Sequence, residues 1–201
     1  LDADDTWLKT NLYVKMIYFQ NNPSIYWVFS DMYLADENLN IIEEAPKGKG
    51  EDILESILLW EGEVIPGPCS NIIVKRKCID EGCLFDPSFS TAADQDYCLQ
   101  LASKFKGGYI NQVLWKYRYI PISMSRNVQI MEIDHIGVFR KAAKDKLFRS
   151  YWFKRKCFSN LYLVLAGSWW VNGENKLRAL WFIIRSLVVY PLNIVKLMAK
   201  L

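Results

Sequence analysis

The feature that most limits what this chain can fold into is a change of pattern near Pro121–Arg126. Before it, short strand-like runs alternate with helical stretches. After it, residues 127–201 show helical spacing of apolar residues and no convincing strand. An all-α or all-β fold is therefore not expected. The pattern predicts an α/β part over residues 1–125 and a helical, basic extension over 126–201. With 51% hydrophobic residues the chain has ample material for a core, so a disordered tail is excluded. Ten Gly and seven Pro exclude collagen-like and low-complexity classes. No internal repeat is present.

Local signals fill in the α/β part. Residues 6–20 read as an amphipathic helix, stopped by Asn21-Asn22-Pro23. Ile25–Ser30 is rich in β-branched and aromatic residues and reads as a strand. A turn at Asp36-Glu37-Asn38 is expected between two short strands within 32–42, followed by a loop over 45–50. A helix is expected over 51–60, a Pro/Gly turn over 65–70 and a short strand over 71–75. A second helix is expected over 91–105 with Thr91 as its N-cap. Residues 108–114 and 115–120 read as two further strands.

The formal net charge of +3 conceals two opposite halves: residues 1–100 sum to −11 and residues 101–201 to +14. Such asymmetry bears on partners more than on fold. The five Cys (69, 78, 83, 98 and 157) form no CxxC pair, and the single His135 completes no metal cluster. Five reduced, mostly buried thiols in a cytosolic protein are the expectation. His135 lies in a helical stretch and reads as structural.

No signal peptide opens the chain. It starts directly at an acidic motif of the kind that normally follows a buried strand. The expectation is a fragment lacking roughly two or three βα units of about 30 residues each. At the other end, Arg178, Arg185, Pro191 and Lys196 interrupt the apolar run, which leaves stretches far short of the ~20 residues a spanning helix needs.

Asp2-Ala3-Asp4-Asp5 places three acids within four residues, and they repel unless a cation or positive groups compensate. A DxD pair on an extended segment aims both carboxylates at one hard cation such as Mg²⁺ or Mn²⁺. The plainer reading is an Asp-rich turn capping a helix at Thr6. Two families use such a cluster. Haloacid-dehalogenase-like phosphatases have a DxDx(T/V) pattern, with Asp2 as nucleophile. Nucleotide-sugar glycosyltransferases of the GT-A fold have a DxD.

Three ordered stretches favour the second. Residues 2–42 (DADDTWLKTNLYVKMIYFQNNPSIYWVFSDMYLADENLNII), 82–101 (GCLFDPSFSTAADQDYCLQL) and 115–125 (WKYRYIPISMS) together resemble family 2 glycosyltransferases. The matching family segments are a DxDD helix leading to a VxSD strand, a G-x-FD…ED-x-D-L segment and a YR-x-H-x-x-S segment. The resemblance implies the second half of a GT-A domain. It implies a divalent metal, Mg²⁺ or Mn²⁺, held by Asp2 and Asp4 on the diphosphate of a nucleotide sugar, with Asp5 less firmly matched. Asp94 falls on the family's catalytic base, which takes the proton from an acceptor hydroxyl as the anomeric carbon inverts. Read from the residues alone, Thr91-x-x-Asp94 equally resembles a capping box, with Asp96 a further first-turn acid. Arg118 suits a diphosphate, or else a structural ion pair. The chain departs from the family at Ala93, Gln100 and Ile120, where Glu, Arg and His are expected.

In the basic half, eight Lys/Arg between Arg140 and Lys156 interleave with Phe148, Tyr151, Trp152 and Phe153. This mixture suits an anionic membrane surface, or a solvated face of helices packed on a catalytic domain. No nucleic-acid motif accompanies it, so nucleic acid is not an expected partner. On a helical wheel Arg178, Arg185, Lys196 and Lys200 share a narrow sector, away from Leu180, Ile184, Leu187 and Val188. The combined expectation is a metal-dependent inverting glycosyltransferase of glycan or polysaccharide biosynthesis, with a nucleotide-diphosphate sugar as donor and a glycan or lipid-linked acceptor. It is placed in the cytoplasm, peripheral to the inner face of the membrane. The fragment alone is expected to be nearly inactive. The alternatives are the phosphatase and a non-catalytic membrane-docking module on a decayed transferase fold.

Overall fold

A computed structural model describes residues 1–44, 47–119 and 127–195. The expected start of the 45–50 loop, the pattern change at 121–126, Ile120, Lys196 and Lys200 lie outside the described residues. The described chain is α/β, and it divides into two compact units that interleave in sequence. One comprises Leu1–Ser56, Gly62–Asp86 and Asp94–Ile122. The other comprises Ile57–Glu61, Pro87–Ala93 and Ser123–Leu201.

In order, the elements are β1 (Thr6–Trp7), α1 (Asn11–Asn21), β2 (Trp27–Ala35), β3 (Ile41–Glu44), α2 (Ile53–Leu59), α3 (Pro68–Asn71), β4 (Ile73–Val74), α4 (Arg76–Asp80), α5 (Ala93–Lys104), β5 (Gly107–Arg118), α6 (Val128–Lys144), α7 (Tyr151–Val171) and α8 (Lys176–Val189). A short 3-10 turn follows at Pro191–Asn193.

The first unit is built on one five-stranded sheet. Its strand order is β1-β5-β2-β3, and β4 pairs with the same edge of β2 nearer that strand's start. The β2–β5 pair is parallel and the others are antiparallel. β2 is buried along most of its length, as a near-continuous apolar run predicts for a strand covered on both faces. Phe19, Ile25, Val28, Ile110 and Leu114 form one core cluster, while Met32 and Trp115 form another. A Cβ at Gly107 would lie 2.5 Å from the Trp27 ring, so only glycine lets this indole lie flat on the neighbouring strand.

The register of β2 against β5 slips around Asp31: Ser30 pairs with Ile110, Asp31 with Val113 and Met32 with Trp115. The extra residues in β5 make a bulge, which re-aims side chains locally. Buried Asp31 accepts hydrogen bonds there from Tyr109 Oη at 2.8 Å and from the Gly48 amide at 2.9 Å.

Tertiary pairing changes several local expectations. The helix expected over 6–20 starts at Asn11, because Thr6 and Trp7 pair instead with Lys116 and Trp115. The two strands expected over 108–120 are one strand, β5. Part of the 65–70 turn is helical as α3, with Gly67 at φ 47° ahead of Pro68. Thr91 does not cap α5. Its amide and hydroxyl, with the Ser90 amide, donate to Asp134 Oδ2 of α6 at 2.7, 3.0 and 2.8 Å.

In the second unit the helices start on side-chain caps. Asn127 accepts from the Ile130 amide, Ser150 from Phe153 and Asn175 from Arg178. His135 is buried against the Trp60 ring, with centroids 4.6 Å apart, and burial lowers its pKa to about 4. All five cysteines are free, four of them buried and Cys69 exposed. Among the described residues no helix is long and apolar enough to cross a membrane.

Candidate functional site

The N-terminal acids sit beside β1, where β1, β5 and α3 meet. Asp2 and Asp4 are exposed, and Asp5 is half-buried. The three differ in their commitments. Asp5 is tied on both oxygens: Oδ1 accepts from the Arg118 amide at 3.0 Å, and Oδ2 accepts from Ser70 Oγ. Burial raises the Asp5 pKa, and the hydroxyl and amide bonds partly offset this. The Asp2 amide donates to Ser70 Oγ at 3.1 Å, and Trp7 Nε1 donates to the Ser70 carbonyl at 2.7 Å. Ser70 thus fastens the acidic segment to α3. The Arg118 guanidinium clamps backbone: Nε donates to the Asp4 carbonyl at 2.8 Å and Nη1 to the Glu37 carbonyl at 3.2 Å.

α3 is held from beneath by a buried polar network. Asn71 Nδ2 donates to the carbonyls of Ser30 and Pro66, each at 2.7 Å. Its Oδ1 accepts from the Ser30 amide at 2.9 Å and from Ser30 Oγ at 3.1 Å. Lys15 Nζ, fully buried in α1, donates to the Asn71 carbonyl and to Oδ1. Desolvation lowers the Lys15 pKa to about 7.

Asp94 lies in the first turn of α5, and its Oδ1 accepts from the Gln95 amide at 2.7 Å. It lines a cavity of about 160 Å³ with Cys69, Ile72, Phe85 and Tyr97. Burial raises the Asp94 pKa, and the charge of Asp2 adds to that. Although Cys69 is exposed as a residue, its thiol is pushed up to about 12, first by desolvation from the surrounding protein and then by the charges of Asp94 and Asp2. Asp94, Asp2 and Cys69 therefore feel one another's fields, although Asp2 and Asp94 stand far apart in sequence. Asp96 accepts from Gln100 Nε2 at 2.7 Å, and Gln100 also binds the Leu84 carbonyl at 2.9 Å. Gln100 thus ties the segment at Leu84 to the middle of α5.

The donor chemistry fits a hard cation. Two exposed carboxylates, Asp2 and Asp4, are available, and Asp5 is engaged. Among the described residues no group of three or more His, Cys, Asp or Glu side chains converges to hold a metal. A cation at Asp2 and Asp4 would complete its shell with phosphate and water oxygens, the usual habit of Mg²⁺.

Sequence reasoning missed Ser70, Asn71, Lys15, Cys69 and Tyr97. The Pro66-Gly67-Pro68 punctuation ahead of α3 was the available signal, since it marks a forced backbone path.

The chain is similar to a protein of Methanocaldococcus jannaschii named as an uncharacterized glycosyltransferase. The two are 29% identical over 168 residues, which cover 80% of this chain and 52% of that protein. The chain thus spans about half the length of the curated relative it matches. No family model matches it.

Proposed function

We propose that this chain forms the second half of a GT-A glycosyltransferase domain of family 2 type, with a helical extension, and serves in glycan or polysaccharide biosynthesis. The observation that carries the reading is a half-buried, first-turn Asp94 that lines a cavity, with a pKa raised by desolvation and by Asp2. The similarity to a named glycosyltransferase supports it in general terms.

The donor is a nucleotide-diphosphate sugar, and the acceptor is a hydroxyl on a glycan or lipid-linked carrier. Asp94 accepts the hydroxyl proton as that oxygen bonds to the anomeric carbon. The bond from that carbon to the phosphate oxygen breaks, its electron pair leaves with the nucleoside diphosphate, and the carbon inverts. A raised carboxyl pKa brings the base closer to working pH, which strengthens it. Asp2 and Asp4 hold Mg²⁺ or Mn²⁺, which when bound neutralises charge on the diphosphate. Asp5 and Arg118 act through the backbone, holding the acidic segment in place. The Phe85 and Tyr97 rings, stacked with centroids 4.4 Å apart, give the cavity an apolar wall suited to a sugar face.

The test is Mn²⁺-dependent transfer and hydrolysis across a panel of nucleotide sugars, with the full-length protein. Asp94→Asn is expected to lose transfer while Mn²⁺ binding persists. Asp2→Asn and Asp4→Asn are expected to weaken Mn²⁺ binding. Unchanged transfer in Asp94→Asn overturns the base. Phosphate release from simple phosphomonoesters that depends on Asp2 returns the phosphatase.

A further inference from the structure

α8 is amphipathic in the inverted sense. Its buried positions are Ala179, Phe182 and the polar Ser186. Its outward positions are Leu177, Leu180, Trp181, Ile184 and Val188, exposed at 82, 50, 45, 54 and 70%. At 100° per residue these five fall on one stripe along the whole helix. Ser186 is held inward because its hydroxyl meets Ser159 Oγ at 2.7 Å, and Asn193 Nδ2 donates to the same Ser159 Oγ at 2.7 Å. The helix is thus held on α7 by Ala179, Phe182 and the hydrogen-bonded Ser186, while a second apolar stripe faces outward.

The rim of the stripe is cationic. Arg185 lies over the Tyr162 and Trp181 rings at 4.8 Å, and Lys176 lies over Trp170 at 5.5 Å. Arg155 binds the Val189 carbonyl at 2.6 Å and the Val188 carbonyl at 3.2 Å, which places a guanidinium at the far end. Arg178 is paired with Glu132. From Tyr151 to Val195 the sequence holds six Lys/Arg and one acid, Glu174. A hydrophobic strip bearing Trp and rimmed by cations matches the interface of an anionic bilayer, where apolar groups enter the acyl boundary and cations meet phosphates. With 14 residues, α8 is suited to lie in that plane rather than span it.

We propose that the α8 stripe docks this chain onto anionic lipid surfaces. This proposal stands on the helical unit alone and does not depend on the transferase reading.

Flotation tests it, using vesicles of phosphatidylcholine alone and of phosphatidylcholine with phosphatidylglycerol in equal parts. The chain is expected to float with the mixed vesicles, to stay down with the neutral ones, and to be released by high salt. The double variant Ile184→Ser, Val188→Ser removes exposed groups and should keep its circular dichroism spectrum. It is expected to lose about tenfold or more in vesicle binding. A second variant, Arg185→Gln with Lys176→Gln, is expected to bind more weakly and with less salt dependence. Equal flotation of the Ser variant, or no flotation of the parent chain, overturns the proposal. So does a concentration-dependent dimer in sedimentation equilibrium that the Ser variant abolishes, because the stripe would then be covered by a second copy.

Discussion

The two units bury polar groups for opposite ends. In the α/β unit, Lys15, Asn71 and Ser30 are buried beneath α3, and their hydrogen bonds end at the segment that carries Ser70 and Cys69. The network anchors the segment through Ser70 while Asp2 and Asp4 stay exposed. In the helical unit, Ser159, Ser186 and Asn193 are buried between α7, α8 and the following turn, and their network leaves an apolar stripe pointing outward. A buried polar cluster thus says little by itself about catalysis. What it holds in place decides its meaning.

The comparison breaks most severely at Asp94. Asp94→Asn is expected to lower transfer by a factor on the order of 10² to 10⁴ with the fold retained, measured by product formation and circular dichroism. Next is the network under α3. Asn71→Ala leaves Ser30 and Lys15 groups unpaired and is expected to cost about 3 kcal/mol in urea unfolding.

Lys15 gives the same unit a pH signature. Its folded pKa of about 7 lies below the ordinary 10.5, so between those values the unfolded chain binds more protons than the folded one. Stability then rises with pH across that window, by at most about 1.4 kcal/mol per pH unit. Comparison of the parent with Lys15→Met from pH 6 to 10 is expected to remove this slope, and a parallel pair of curves would contradict it.

In the helical unit the expected effects are smaller. Asn175→Ala removes the α8 cap and is expected to cost about 1 kcal/mol. Val188→Ser, on the exposed stripe, is expected to change stability by less than about 0.5 kcal/mol, which separates surface function from folding.

Much of this was legible in the sequence, for identifiable reasons. The α/β character followed from the Ile25–Ser30 run, whose β-branched and aromatic residues suit a buried strand. The helices of the second half followed from their periodicity. Lys15 was illegible as a buried group because a lysine in an amphipathic helix counts as a polar-face residue, and the Asn71 carbonyl and Oδ1, with the Trp7 ring, make its burial tolerable. β1 was absorbed into the following helix because two residues carry no strand signal without Lys116 and Trp115 beside them. For α8 the wheel separated cations from apolar residues correctly. It did not say which face was buried, and Ala179, Phe182 and Ser186 took the inside against α7.

The parallel pairing of β2 with β5 has a kinetic consequence. β2 ends at Ala35 and β5 begins at Gly107, so the central pair of the sheet forms only after a long intervening loop closes. β1 then needs β5 as its partner, and Asp5 needs the Arg118 amide at the end of that strand. On this topology the acidic segment is expected to be among the last parts to acquire its native setting. A chain stalled before that closure would hold many of its helices while lacking the hydrogen bonds that fix Asp5, so the setting of the acidic segment reports completed folding of the sheet.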